Sequence, residues 1–366
     1  MDVLFLGGTR YFGRGAAERL LKTGHNVIIY SRGNVRPGFW DDIEHIKGDR
    51  TDAAGMNKSL KNRQFDAVID NQCFSRKEAV SAIDALRGRV GRYIVASTVS
   101  TYGEAGQSPS RVTAINHVAD DQRWWTDHRA IAPVMESHSK VEKQSWGYRE
   151  DVEEYAQGKR HMERVMLESP DDWPWTVVRV PATLGPDDPS GRFAWWLWRI
   201  MDGNAILLPD GGHHATQVGY VHDLSQFLVD AISAPAAVRN IYNFAQRETP
   251  ALIDFLRVIA NAANKTLNAL PVPSEILHRK SGLPWHEYGF APFSHDDSPV
   301  MSLWKAQRDI GPIFTPLTEW VGTTVDWYQS NPDALEQTRF KDQRVVEINF
   351  ARRWQSAIAK ISHQLS

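Results

Sequence analysis

Short apolar runs alternate with segments of helical periodicity from the first residues of the chain. The run VLFLG at residues 3–7 ends in glycines, and Ala17, Leu20 and Leu21 then recur at helical spacing. The same alternation continues through the apolar runs HNVIIYS, FDAVIDN, RYIVAST and WTVVRV. Strands that alternate with helices predict a parallel sheet covered on both faces, which is an α/β, Rossmann-like, doubly wound fold.

The pattern changes near residue 184, where a segment dense in Trp and Pro begins. We expect residues 1–183 to form the Rossmann-like domain, with residues 215–247 returning to its sheet. Residues 184–214 and 248–330 would then form a smaller C-terminal, substrate-binding cap. We expect residues 331–366 to form a polar, helical tail.

Composition is that of an ordinary globular protein. The 366 residues are 42% hydrophobic and 23% charged, which is enough to bury a large core. A formal net charge of −2 offers no general attraction for nucleic acid or an anionic membrane. The single cysteine, Cys73, excludes an intramolecular disulfide. Since no apolar run reaches about 18 residues and no charged leader precedes the first strand, we expect a cytoplasmic protein.

The segment GGTRYFG follows the first predicted strand and opens the first helix. Backbone N–H groups at a helix N-terminus favour a pyrophosphate. The loop would need Gly7 for its tight turn, Gly8 for the close approach of the backbone to the pyrophosphate, and Gly13 for the packing of the helix against the strand. The predicted cofactor loop also includes Thr9, Arg10, Tyr11 and Phe12. A plain strand-to-helix turn is the alternative, but the position at the start of a βαβ unit favours a dinucleotide.

The end of the second strand indicates which dinucleotide binds. An NAD site usually has a carboxylate here, whereas this chain has Ser31 and Arg32. We therefore expect NADP to be favoured over NAD, with Arg32 and Arg10 binding phosphate groups. The alternative is that both arginines are solvated surface charges. Asp49 either accepts a hydrogen bond from the adenine amino group or starts a turn.

A tyrosine and a lysine are spaced four residues apart in YAQGK. On a helix this spacing puts Tyr155 and Lys159 on one face, and an ammonium near a phenol favours proton exchange closer to neutral pH. The strand YIVASTVSTYG carries Ser97 and Thr98 to its carboxyl end, where the nicotinamide is expected to lie. An ordinary β-branched strand end is the alternative.

Five motifs in this order resemble the extended short-chain dehydrogenase/reductase superfamily, of the NAD-dependent epimerase/dehydratase type, over about residues 1–328. They are GGTRYFG, RYIVASTVSTYG, YAQGK, VVRVPATLGPDDP and VGYVHDLSQFLVDAI. The resemblance implies that Thr98 is the catalytic Ser/Thr and Tyr155 the general acid/base. It also implies that Lys159 tunes Tyr155 and binds the nicotinamide ribose, and that Pro181 lines the nicotinamide pocket.

Three departures from the family pattern limit what the resemblance implies. Arg10 replaces the middle glycine, as in a branch with GGTR that includes bacterial reductase-like proteins and plastid stem-loop RNA-binding proteins. Val99 and Ser100 stand where a sugar 4,6-dehydratase has an acidic pair, which argues against dehydratase chemistry. The stretch between Thr98 and Tyr155, which includes DDQRWWTDHR, is longer than is common in the superfamily.

Similar enzymes also suggest the substrate side and the assembly. Arg192, Trp196, His213, His214 and Gln217 lie in segments that face the substrate in such proteins, where aromatic rings and an arginine hold a sugar or base and a phosphate. Core packing of a cap helix is the alternative for the WWLW cluster, and the histidines lack the spacing of a metal site. The helix of Tyr155 packs against its copy in similar dimers. Met162, Val165 and Met166 would form that contact, unless they pack on their own sheet.

The sequence thus predicts an enzyme that moves hydride between NADP or NAD and a carbinol or keto carbon of a sugar-nucleotide or sugar-like substrate. An NADPH-dependent ketone reductase acting on a secondary metabolite is one alternative. A non-catalytic, cofactor-binding protein associated with RNA or acting as a sensor is the other.

Overall fold

The computed structural model describes residues 1–102, 111–113, 129–131, 133–138, 150–285, 287, 289–294 and 299–365. The strands are β1 (Asp2–Leu6), β2 (Asn26–Ser31), β3 (Glu44–Lys47), β4 (Ala67–Asp70), β5 (Tyr93–Thr98), β6 (Arg111–Thr113), β7 (Arg129–Ile131), β8 (Trp175–Val180), β9 (Thr183–Leu184), β10 (Ile206–Pro209), β11 (Gly219–Tyr220), β12 (Asn240–Asn243) and β13 (Ala269–Val272). The α-helices are α1 (Tyr11–Lys22), α2 (Ala53–Leu60), α3 (Arg76–Leu86), α4 (Glu150–Glu168), α5 (Arg192–Asp202), α6 (Val221–Ser233), α7 (Leu252–Ala262), α8 (Ser274–Lys280), α9 (Trp304–Asp309), α10 (Leu317–Ser330), α11 (Pro332–Glu336) and α12 (Arg344–Leu365).

Seven parallel strands form the central sheet in the order β3-β2-β1-β4-β5-β8-β12. Val3 and Phe5 of β1 face the layer of α1 and α6, whereas Leu4 and Leu6 face the layer of α2, α3 and α4. This alternation buries both faces of the sheet and confirms the predicted doubly wound fold. The strand order reverses between β1 and β4, so ligand-binding loops are expected at their carboxyl ends.

Helix α4 buries its apolar side against its own sheet. Met162 and Met166 are fully buried and Val165 is 6% exposed, in one cluster with Leu4 and Leu6 of β1. This packing corrects the expectation that these three residues contact a second copy of the chain, because the sheet already covers them.

The cap has a separate core. Its short parallel pair β10 and β13 packs with α5, α7 and α10, and Phe193 and Trp320 lie at the centre of that cluster. The tail helix α12 joins this core through Phe350 and Ala351. A fully buried ion pair between Arg199 of α5 and Glu347 of α12 fixes the contact.

Among the described helices, none combines the length and apolar character needed to cross a membrane. The long stretch between Thr98 and Tyr155 falls mostly outside the described residues, and this includes residues 120–128 of DDQRWWTDHR.

Candidate active site

The glycine loop connects β1 to α1 with a backbone that requires glycine. Gly7 and Gly8 have φ angles of +98° and +85°, and a Cβ on Gly8 would lie 2.8 Å from the side chain of Phe5. A Cβ on Gly13 would lie 2.3 Å from Nδ2 of Asn71, the residue that follows β4. The absence of these side chains lets the start of α1 pack directly onto the carboxyl edge of the sheet.

The N-terminus of α1 differs from those of its neighbours. Helix α2 is capped by Asp52, which accepts a hydrogen bond from the N–H of Gly55, and α3 by Ser75, which accepts from Glu78. Helix α1 begins after Arg10 with no side-chain cap and no acidic residue in its first turn. Its first N–H groups therefore suit an anionic ligand, and the residues present fit a dinucleotide pyrophosphate.

The other residues of the loop have different surroundings. Arg10 is exposed, and Thr9 is half-buried. Tyr11 donates a hydrogen bond from its hydroxyl to the carbonyl oxygen of Thr183 at 2.8 Å, and Tyr11 and Phe12 pack against the cap core. The two aromatic residues thus tie the loop to the cap.

The end of β2 carries an exposed arginine and a structured turn. Arg32 is exposed, and its charge helps to lower the pKa of Asp49. The larger cause is Thr51, which donates its N–H and hydroxyl to Asp49 Oδ1 at 2.8 and 2.7 Å. Asp49 thus caps a turn, which is one of its two expected roles. Sequence reasoning missed His45, whose ring lies beside Ser31.

Strand β5 ends at Thr98, and α4 brings Tyr155 to it. Thr98 lies close enough to Tyr155 to influence its phenol. Although 39% of Tyr155 is exposed, burial raises its pKa above the ordinary value of 10, while Thr98 and the charge of Arg192 oppose the rise. Thr98 and the charge of Arg192 thus both act on the Tyr155 phenol.

Lys159 lies one turn further along α4 and is buried. Its Nζ donates to the carbonyl oxygens of Cys73 at 2.8 Å and Ala96 at 2.7 Å, and lies 6.0 Å from the centre of the Tyr155 ring. Burial lowers the pKa of Lys159. This corrects the expected lowering of the Tyr155 pKa by Lys159, because the ammonium group is bound to backbone carbonyls and the phenol pKa is raised.

Phe74 is a second residue that sequence reasoning missed. Its ring centre lies 4.5 Å from Lys159 Nζ and 6.2 Å from the centre of the Tyr155 ring. The only available signal was its position just after β4, where loops approach the ligand edge of the sheet.

Ser97 points to the opposite face of β5 from Thr98. Its hydroxyl donates to Glu163 Oε1 at 2.6 Å, and Glu163 pairs with Arg179 of β8 at 2.6 Å. All three side chains are buried. Ser97 thus belongs to a polar network inside the domain, which differs from its expected place at the cofactor.

The expected substrate residues divide into two groups. Arg192 is half-buried at the start of α5, and its charge acts on Tyr155. Pro181 and Gln217 line a small cavity after β8. Gln217 accepts a hydrogen bond from the N–H of Met301 at 2.7 Å and donates one to the carbonyl oxygen of Met301 at 3.3 Å. The Gln217 amide therefore also holds the backbone at Met301 in place.

The remaining three lie elsewhere in the cap. Trp196 is fully buried and donates from its indole N–H to the carbonyl oxygen of Pro292 at 2.9 Å, which corrects its expected substrate contact. His214 is bonded to the carbonyl oxygen of Phe293, and His213 is exposed. Trp196 lies on the apolar face of α5. It therefore agrees with the alternative prediction, in which the WWLW cluster packs in the core of the cap.

Comparison with known proteins gives one family and one fold. Residues 3–122 match the model of the NAD dependent epimerase/dehydratase family. Over these residues, about a third of the chain, the match bears out the predicted superfamily. A curated relative, the chloroplast stem-loop binding protein of 41 kDa b of Arabidopsis thaliana, is 24% identical over 330 residues, which are 84% of this chain and 76% of that protein.

Solved structures share the fold at low sequence identity. Pal from Bacillus thuringiensis is 19% identical with a TM-score of 0.63, over 90% of this chain and 100% of its own. UDP-glucose 4-epimerase of Thermotoga maritima, solved with UDP-glucose, is 15% identical with a TM-score of 0.64, over 91% and 100% of the two chains. The enzyme WbmH of Bordetella bronchiseptica, solved with NAD+, is 17% identical with a TM-score of 0.62, over 90% and 98%.

Proposed function

Since residues 3–122 belong in sequence to the NAD-dependent epimerase/dehydratase family, we propose that this protein is an NAD(P)-dependent oxidoreductase or epimerase. Its substrate would be a sugar nucleotide or a similar sugar. The observation that carries the proposal is the position of Tyr155 at the carboxyl end of β5. Lys159 Nζ donates to the carbonyl oxygen of Ala96 in β5 and lies 6.0 Å from the centre of the Tyr155 ring, and Thr98 and the charge of Arg192 both act on the phenol.

The glycine loop would hold the cofactor. The uncapped N-terminus of α1 would bind its pyrophosphate, and Pro181 and Lys159 lie on the side where the nicotinamide is expected. Bound NAD(P) would supply the hydride acceptor or donor. At the end of β2, the exposed Arg32 and the absence of a carboxylate support a preference for NADP. Tighter binding of NADH than NADPH in calorimetry would contradict that preference.

Tyr155 would move the proton. Its pKa is raised, so the phenol stays protonated at neutral pH and can donate to a substrate oxygen when a carbonyl is reduced. Thr98, which lies beside Tyr155, would orient the hydroxyl. Arg192 would bind a phosphate or hydroxyl of the substrate, since a guanidinium suits both.

The test combines ligand identification with one substitution. Mass spectrometry of small molecules that copurify with the protein, followed by turnover of sugar nucleotides with each cofactor, would define the substrate. Net consumption of NADPH separates a ketone reductase from an epimerase. Tyr155→Phe should lower turnover by about 10²- to 10⁴-fold while cofactor binding survives. Tyr242→Phe is the control, since its hydroxyl bonds to Asp309 in another part of the domain. Full activity of Tyr155→Phe would refute the assignment.

The curated relative supports a second candidate function. That protein is named for stem-loop binding, and the shared 330 residues span most of both chains. A role in RNA binding would need a local basic surface, because the formal net charge is only −2. Gel-shift titration with a stem-loop RNA at two salt concentrations tests it, and retention of RNA by Tyr155→Phe would separate this role from catalysis.

A further inference from the structure

The turn after β2 is built around a histidine of the neighbouring strand β3. His45 Nε2 lies 3.1 Å from the carbonyl oxygen of Ser31 and 3.1 Å from its Oγ. A carbonyl oxygen only accepts hydrogen bonds, so Nε2 carries the hydrogen in this arrangement. In this tautomer the single hydrogen of Nε2 is shared between the carbonyl oxygen and the Oγ of Ser31, so the Oγ accepts from His45. It also accepts from the N–H of Gly33 at 3.3 Å.

These two contacts determine the direction of the Ser31 hydroxyl. A hydroxyl oxygen has two acceptor positions and one hydrogen to donate. With both acceptor positions engaged, the hydroxyl hydrogen of Ser31 is directed to a third group. We propose that His45 is a positioning residue for cofactor choice, which makes Ser31 a dedicated donor to the 2′-phosphate of NADP. The inference rests on the NADP preference of the proposed function.

The packing around His45 holds this arrangement in place. The ring of Trp40 packs against the ring of His45 at an angle of 45°, with 4.5 Å between their centres. Gly33 has a φ of +76°, and a Cβ there would lie 3.1 Å from His45, so the turn and the imidazole fit closely. Arg36 lies 5.6 Å from the centre of the Trp40 ring and adds positive charge near the same turn.

A dedicated donor discriminates between the two cofactors. The oxygens of a phosphate only accept, and a hydrogen bond to a charged oxygen is stronger than one between neutral groups. The 2′-hydroxyl of NAD can donate or accept but carries no charge. His45 would thus act through Ser31 on NADPH affinity and leave NADH affinity almost unchanged.

The experiment measures Kd for NADPH and NADH by calorimetry in the parent and four variants. His45→Phe keeps a ring but has no donor, and His45→Gln keeps an N–H donor. We expect Ser31→Ala and His45→Phe to reduce the NADPH-over-NADH preference by about tenfold, and His45→Gln to retain most of it. The double variant Ser31→Ala/His45→Phe should lose no more than either single variant, to within about twofold.

The outcomes separate this inference from the cofactor proposal. Equal Kd values in the parent would refute the NADP preference and the inference with it. An NADPH preference that survives His45→Phe or Ser31→Ala would refute the inference alone. Additive losses in the double variant would also overturn it, because His45 would then act independently of Ser31. If circular dichroism shows that His45→Phe is unfolded, Ser31→Ala decides: an unchanged preference overturns the inference.

Discussion

The buried ion pair beneath the candidate active site predicts a large loss of stability from a small change. Glu163 of α4 accepts hydrogen bonds from Arg179 at 3.0 and 2.6 Å and from Ser97 at 2.6 Å, and both charged side chains are at most 1% exposed. Glu163→Gln keeps the shape but removes the negative charge. Breaking a buried pair leaves an uncompensated charge and costs about 3–5 kcal/mol.

The same helix offers a matched control. Glu168 pairs with Arg164 at 2.7 Å, but these side chains are 50% and 46% exposed. Solvent screens such a pair, so Glu168→Gln should leave the free energy of unfolding almost unchanged. The two variants make the same chemical change on one helix and differ in burial.

Urea unfolding followed by far-UV circular dichroism measures both variants against the parent. A lower midpoint at an unchanged slope reports a change in stability. We expect Glu163→Gln to be less stable than the parent by about 3–5 kcal/mol and Glu168→Gln to be close to the parent. Equal losses would show that Glu163 and Arg179 contribute no more than a surface pair, and the structural reasoning would be refuted.

Three further outcomes follow from the site. Gly13→Ala should weaken cofactor binding at least tenfold in a fluorescence titration, because its Cβ would collide with Asn71, and unchanged affinity would contradict the close approach of α1. Arg192→Ala should raise KM for a phosphorylated substrate more than it lowers kcat, and the reverse split in steady-state kinetics would contradict a binding role. Because the pKa of Tyr155 is raised, carbonyl reduction should keep a constant rate through neutral pH and fall only above the ordinary value of 10, where the phenol ionises. A pH–rate profile that falls near pH 7 would disagree.

The tertiary structure changed the interpretation of several residues that the motifs had identified. Tyr155 and Lys159 share a helix face as their spacing predicts, but the spacing could not show where the ammonium group points. Its hydrogen bonds go to Cys73 and Ala96, which are distant in the sequence. Ser97 and Thr98 are adjacent in the chain, yet a strand directs them to opposite faces. Ser97 donates a hydrogen bond to Glu163, whereas Thr98 lies beside Tyr155.

The sequence by itself determined the architecture and the ligand edge of the sheet. Alternating apolar runs and helical periods are local signals, and they sufficed for the doubly wound fold and for a glycine loop at the start of α1. Only the tertiary structure decided that Trp196 lies in the cap core, that His45 lies under Ser31 and that Arg192 acts on Tyr155. Those contacts join residues from different elements. Burial and the direction of a hydrogen bond depend on how the elements pack in space. The spacing of apolar residues along the chain carries no information about that packing.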